Sequence, residues 1–166
     1  ETKEISKIIL THAHIDHSGY LPKIVADGYQ GSIYCSQATK DLCRILLLDA
    51  AHLQEEDAEF ANKTKYSKYS PALPLYTTAD AEKAIRLLHG VPYHEWVQLD
   101  QDLSFRFIRS GHILGSAFVQ IHYLSAEGPK ILTFSGDLGN DRSFVLEPPE
   151  QIFETDYLVM ESTYGD

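Results

Sequence analysis

Four side chains of the types that bind first-row metals fall within six residues, as His12-x-His14-x-Asp16-His17. In a locally extended chain His12 and His14 point to one side, while Asp16 and His17, entering the next turn, aim at a second point close by. That spacing suits two metal ions. Imidazole and carboxylate donors without thiolate favour zinc over manganese or iron, and the two cysteines, Cys35 and Cys43, lie elsewhere in the chain. Two more candidates close other apolar runs, His112 after Ser110-Gly111 and Asp137 after Ser135-Gly136. One ion can take His12, His14 and His112 and the other Asp16 and His17, with Asp137 and a hydroxide bridging both. The second ion is then one ligand short. Two divalent ions outweigh two carboxylates and a hydroxide by a single positive charge, which suits an anionic substrate such as a phosphodiester.

Other residues carry less. His52, His89, His94 and His122 read as surface or internally satisfied histidines. Gly111, Gly115, Gly136 and Gly139 are turn formers that here present ligands. Glu161 closes an apolar run, where a glutamate on its own is most often a solvated strand end.

The elements that must position these groups follow from periodicity. Ile8, Ile9 and Leu10 form a continuous apolar run within Lys7 to Thr11, as in a strand covered on both faces. Tyr20, Leu21, Ile24 and Val25 recur at helical spacing behind Ser18 as a cap, and Gly28 ends that helix. A strand over Ser32 to Cys35 precedes a long helix capped by Ser36, which runs into the acidic stretch Glu55, Glu56, Asp57, Glu59 as a solvated face. Lys63 to Tyr76 reads as an irregular excursion. A helix after Thr78 places Ala81, Ala84, Ile85 and Leu88 on one face, with Gly90 and Pro92 as its stop. From Leu103 the period becomes two, through Phe105 and Phe107 and again through Val119, Ile121 and Tyr123. Ile131 to Phe134 and Tyr157 to Met160 add two strands. The tally predicts a layered α/β or α+β sandwich with the ligands where strands empty into loops.

Composition sets outer bounds. The 166 residues are 43% hydrophobic, enough for a core without disulfides. A formal charge of −10 argues against a broad basic surface for nucleic acid but leaves room for a nuclease whose positive charge comes from metal. The two cysteines read as free thiols in a reducing compartment. No signal peptide and no apolar run of about 18 residues is evident, so the expectation is a cytoplasmic protein without a membrane partner.

With these residues in view, the sequence resembles a known family. His12-Ala13-His14-Ile15-Asp16-His17 is similar to the signature of the metallo-β-lactamase fold, and Ser110-Gly111-His112 and Ser135-Gly136-Asp137 to its later metal motifs. Within it, Gly111 to Ser116, Phe134 to Gly139 and Glu161-Ser162-Thr163-Tyr164-Gly165-Asp166 resemble the β-CASP nucleic-acid-processing branch. The resemblance implies a four-layer αβ/βα sandwich, present here as a part, with two zinc ions at the sheet ends and hydrolysis of RNA by a metal-bridging hydroxide. It implies His12, His14 and His112 on one zinc, Asp16 and His17 on the other, and Asp137 between them. Glu161 stands in the place of the acid that, with a later histidine, protonates the leaving oxygen, so Asp16, Asp137 and Glu161 are the candidate catalytic acids.

The family's opening strands would lie upstream of Glu1, and the β-CASP domain, its histidine motifs and the last zinc ligand downstream of Asp166. The whole chain, 1–166, is therefore expected to be one partial domain that keeps most of one metal site, holds the second weakly and has little nuclease activity alone. Sheet edges left open by truncation would allow a homo-oligomer. Two alternatives share the fold: a small-molecule hydrolase, such as one acting on thioesters, and a non-catalytic scaffold relative in an RNA-processing complex.

Overall fold

A computed structural model describes residues 2–163 and 165. Tyr164 and Asp166, which close the Glu161–Asp166 motif, lie outside the described residues. A 3-10 turn, Thr2–Glu4, leads into β1 (Lys7–Ile9), followed by a one-turn helix α1 (Ile15–Ser18), α2 (Leu21–Ala26), β2 (Ser32–Ser36) and the 28-residue α3 (Gln37–Thr64). Then come α4 (Thr78–Arg86), β3 (Leu88–Val91), β4 (Val97–Gln98), β5 (Leu103–Arg109), β6 (Ala117–Ser125), β7 (Gly128–Phe134) and β8 (Tyr157–Val159).

The strands form two sheets. One is parallel, in the order β1-β2-β3; the other runs β4-β5-β6-β7-β8, antiparallel except where β8 lies parallel to β7. Helices cover the outer face of the first sheet, where Ile33, Cys35, Cys43, Leu47, Ala51 and Ala81 are fully buried. Between the sheets, Phe105, Phe107 and Val119 pack against Ile9 and Tyr34. Three layers of the expected four are thus present among the described residues. Across the outer face of the second sheet runs an extended segment: Gln120 donates to Glu154 O at 2.8 Å and Thr133 to Thr155 Oγ1 at 2.9 Å. It buries Gln120 and Thr133, and these hydrogen bonds offset the cost.

Three local readings change. Ser18 does not cap α2; it ends α1, and its hydroxyl is shared between the carbonyls of Ala13 and His14 at 2.9 and 3.0 Å. The helix after Thr77 stops at Arg86, so Leu88 and Gly90 belong to β3, paired with β2 at Ile33↔Leu88 and Cys35↔Gly90. In the acidic run, Glu55 accepts from the Thr78 hydroxyl at 2.6 Å and ties α3 to α4. Ser36 does cap α3, its oxygen accepting from Thr39 N–H at 3.1 Å. Both thiols are buried, and desolvation pushes each up to about 12. Among the described residues no helix is long and apolar enough to cross a membrane.

Candidate metal centre

The parallel course of β5, β7 and β8 brings their C-terminal ends to one edge, beside the end of β1. Four loops meet there. After β1 the chain stays extended: Leu10 N–H reaches Tyr34 O at 2.8 Å, and Thr11 O accepts from Ala117 N–H at 3.0 Å across to the second sheet. His12 is 1% exposed, and its Nδ1 lies 3.1 Å from the Thr11 hydroxyl, which fixes the ring with Nε2 outward. Burial first, then neighbouring His17, lowers its pKa to about 4, so it is neutral at pH 7 with a lone pair free to ligate. His14 is the N-cap of α1, whose turn carries Asp16 and His17, with the His17 ring 4.0 Å from that of His12 between centroids.

The β5–β6 loop carries His112. Ser116 Oγ accepts from the N–H groups of His112 and Ile113 at 2.9 and 3.1 Å, and Gly115 O accepts from Ser36 Oγ and Thr39 Oγ1 at 2.6 and 2.9 Å. The loop is thereby anchored on the start of α3. Asp137 follows β7, its carbonyl accepting from Ser110 Oγ at 3.0 Å, while Gly139 N–H donates to Ser110 O at 2.9 Å. The two loops touch backbone to backbone: a Cβ at position 139 would stand 1.9 Å from Gly111 O, so only glycine permits this approach.

The outcome is two adjoining donor sets. Nδ1 of His14 lies 3.2 Å from Nε2 of both His12 and His112, and Asp137 Oδ2 lies 3.7 and 3.4 Å from those same Nε2 atoms. One ligand atom from each of the four residues lies within 4.8 Å of all the others. A tetrahedral ion with bonds of about 2.0–2.1 Å requires ligand separations of about 3.3 Å, and most of these separations are close to that. On the other side, Asp137 Oδ1 is 3.2 Å from His17 Nε2, which is 3.5 Å from Asp16 Oδ2. Asp137 therefore turns one oxygen to each set. The donors fit divalent metal, with four in the first set and three in the second.

Glu161, at the exit of β8, lies beside the centre. One carboxylate oxygen accepts from Leu138 N–H at 2.6 Å, the other from the Thr163 hydroxyl at 2.9 Å, and its own N–H donates to Ser135 Oγ at 3.0 Å. The Leu138 hydrogen bond, with Thr163 next, holds its carboxyl below the usual carboxylate range. Sequence reasoning missed the supporting roles of Thr11, Ser110 and Ser116, which carry no short-range signal, and read Ser36 only as the cap of α3. The other histidines are engaged elsewhere: His52 pairs with Glu56, His94 with Glu150, and His122 sits edge-on to Trp96.

Residues 1–133 match the metallo-β-lactamase superfamily domain. The chain is 37% identical to ribonuclease TTHA0252 of Thermus thermophilus, across 100% of this chain and 33% of that protein. It is 33% identical to transcription termination factor FttA of Methanothermobacter thermautotrophicus, across 97% of this chain and 23% of the factor. It thus spans a third or less of the length of these relatives. A solved B3 metallo-β-lactamase with an active-site glutamic acid superposes with a TM-score of 0.51 at 17% identity, over 87% of this chain and 48% of that one, a likeness of fold.

Proposed function

The chain belongs to the metallo-β-lactamase superfamily, and we propose that it carries the metal centre of a β-CASP-type ribonuclease that hydrolyses RNA phosphodiester bonds. The observation that carries this reading is the division of Asp137 between two donor sets, His12, His14 and His112 on Oδ2 and His17 with Asp16 on Oδ1. Divalent ions held there, zinc by the chemistry of the donors, would supply Lewis acidity to the phosphate oxygens and to the attacking water.

The chain's own residues set up that chemistry. His12 offers a neutral imidazole fixed by Thr11, and the single turn from His14 to Ser18 separates the two sets. Asp137 is oriented through its own carbonyl and through the clamp of Glu161 on Leu138 N–H. As a carboxylate receiving hydrogen bonds, Glu161 orients and accepts; it does not itself release a proton at neutral pH. Protonation of the leaving oxygen then falls to a partner of Glu161, in keeping with the paired histidine of the branch it resembles.

The names of the relatives support RNA as the substrate: one is a ribonuclease and one a transcription termination factor. They favour it over the thioester-hydrolase alternative. We assign the missing ligand of the second set, and most of the surface that grips RNA, to the part of such relatives that this chain does not span. The setting is a reducing cytoplasm, with which two buried free thiols agree.

The experiment is Asp137→Asn, read by bound zinc in this chain and by RNA cleavage in a protein extended to the length of its relatives. An amide leaves one neutral oxygen where two donor sets shared a carboxylate, which should weaken zinc by more than the about 10–100-fold typical of supporting residues and abolish cleavage, with circular dichroism unchanged. Retention of both zinc and cleavage would refute the bridging role.

A further inference from the structure

From the metal centre opens a cleft of about 730 Å³ that shares His112 and Asp137 with the donor sets and extends beyond them. Its walls come from the loop after β7 and the exit of β8: Leu138, Leu146 and Met160, over a floor formed by Gly111 and Gly139. Leu138 and Met160 are 48% and 66% exposed. Among the described residues no lysine or arginine lines it; the ionisable groups at its edge are His112, Asp137 and Glu161. A second phosphate there would meet carboxylates and no fixed cation. A neutral, partly apolar group would meet what it needs.

The polar groups around the cleft are engaged in part. The Asn140 side-chain oxygen accepts from Arg142 N–H at 2.9 Å, Ser143 Oγ accepts from Leu146 N–H at 2.9 Å, and the Thr163 hydroxyl donates to Glu161. The Asn140 amide N–H groups and the Ser143 hydroxyl proton remain to meet the edge of a base. From the apolar walls, the missing cations, a volume within the about 300–1,000 Å³ of small-ligand sites, and direct contact with Asp137, we infer that this cleft is a nucleobase subsite. It takes the base flanking the phosphate held at the metal centre, by apolar contact. The inference rests on the metal-centre reading and deepens it: phosphate and base are recognised by adjacent but chemically different surfaces.

Met160 is the only methionine in the chain, so ¹³C-methyl labelling gives a single resonance in the cleft. The zinc-loaded chain is titrated with adenosine 5′-monophosphate, uridine 5′-monophosphate and ribose 5-phosphate, and the metal-free chain with adenosine. Both nucleotides should move the Met160 signal and bind at least about tenfold more tightly than ribose 5-phosphate, about 1.4 kcal/mol. Adenosine should move the same signal without zinc. Leu146→Ala should erase the advantage of the nucleotides while leaving zinc and ribose 5-phosphate binding intact. If zinc binds but nucleotides match ribose 5-phosphate and Met160 stays still, the subsite is wrong and the metal centre stands. If zinc fails to bind while adenosine still moves Met160, the metal-centre reading is wrong and the subsite stands.

Discussion

Asp137 offers a full charge to two sets of donors that are not equal. The first is complete with four residues and includes the buried His12; the second has three, of which Asp16 is 75% exposed and His17 31%. An exposed carboxylate must be held in place against its own rotamer entropy, and a three-donor set leaves more of an ion's coordination to water. Zinc added to the metal-free chain should therefore bind in two classes, tight then weak, in competition with a chromophoric chelator. His17→Ala should remove the weak class and change the tight one by less than about tenfold, the lower end of supporting-residue effects. His14→Ala should remove the tight class. Loss of the tight class in His17→Ala would show that the sets are not separable. The clustering of these side chains was legible in the sequence because residue type and spacing are short-range properties: His12, His14, Asp16 and His17 share one strand exit and one turn. The supports were not. Thr11, Ser110 and Ser116 look like any other polar loop residues until strands distant in sequence bring them to the centre.

Elements fix how closely the ligand loops approach, and two glycines with different surroundings separate folding from site geometry. Gly139 lies in the loop that presents Asp137, where an added Cβ would strike Gly111 O and stand 2.6 Å from His112 N. Gly28 ends α2 with φ +103°, and nothing stands within 4 Å of a Cβ there. Gly28→Ala should cost about 1–2 kcal/mol of left-handed strain, seen as a lower Tm, with zinc affinity unchanged. Gly139→Ala should cost about 1–3 kcal/mol through overpacking, and it should also weaken zinc, because relief of the clash moves Asp137 away from His112. Equal zinc affinity in the two variants would mean that the loop contact does not set the ligand geometry. The same scale shows where reading the sequence fell short. Leu88-His89-Gly90-Val91 carries an apolar residue in helical register followed by a stop signal, yet parallel pairing with β2 draws it into the sheet. The gain from tertiary hydrogen bonds and burial of Leu88 and Val91 overrides a local preference that is weak by comparison. Where the period was strong and uninterrupted, as in β5 and β6, sequence and structure agree.

At the scale of the whole molecule, the proposed function asks a chain of charge −10 to meet a polyanion. A ribonuclease usually grips its substrate by releasing counterions at many phosphates, and each phosphate neutralised on a single strand steepens the dependence of affinity on salt by about 0.7 on a log–log plot. Two basic side chains of the second sheet are engaged: Arg109 pairs with Glu147 and Glu150, and Arg106 binds Gln120 and lies over Trp96. The cleft itself offers no cation. RNA bound by this chain should accordingly feel about one phosphate's worth of positive charge, supplied by metal, with the remainder of the contact apolar. Anisotropy of a labelled single-stranded RNA, measured with the zinc-loaded chain from low to physiological salt, should give weak binding with a slope near −0.7, and chelation should remove most of it. A slope several times steeper, or binding that survives chelation, would mean that a cationic face elsewhere on the chain takes the strand. A shallow slope would mean that the metal centre and its apolar neighbour set where RNA is cut, while affinity for the strand comes from surfaces this chain does not carry.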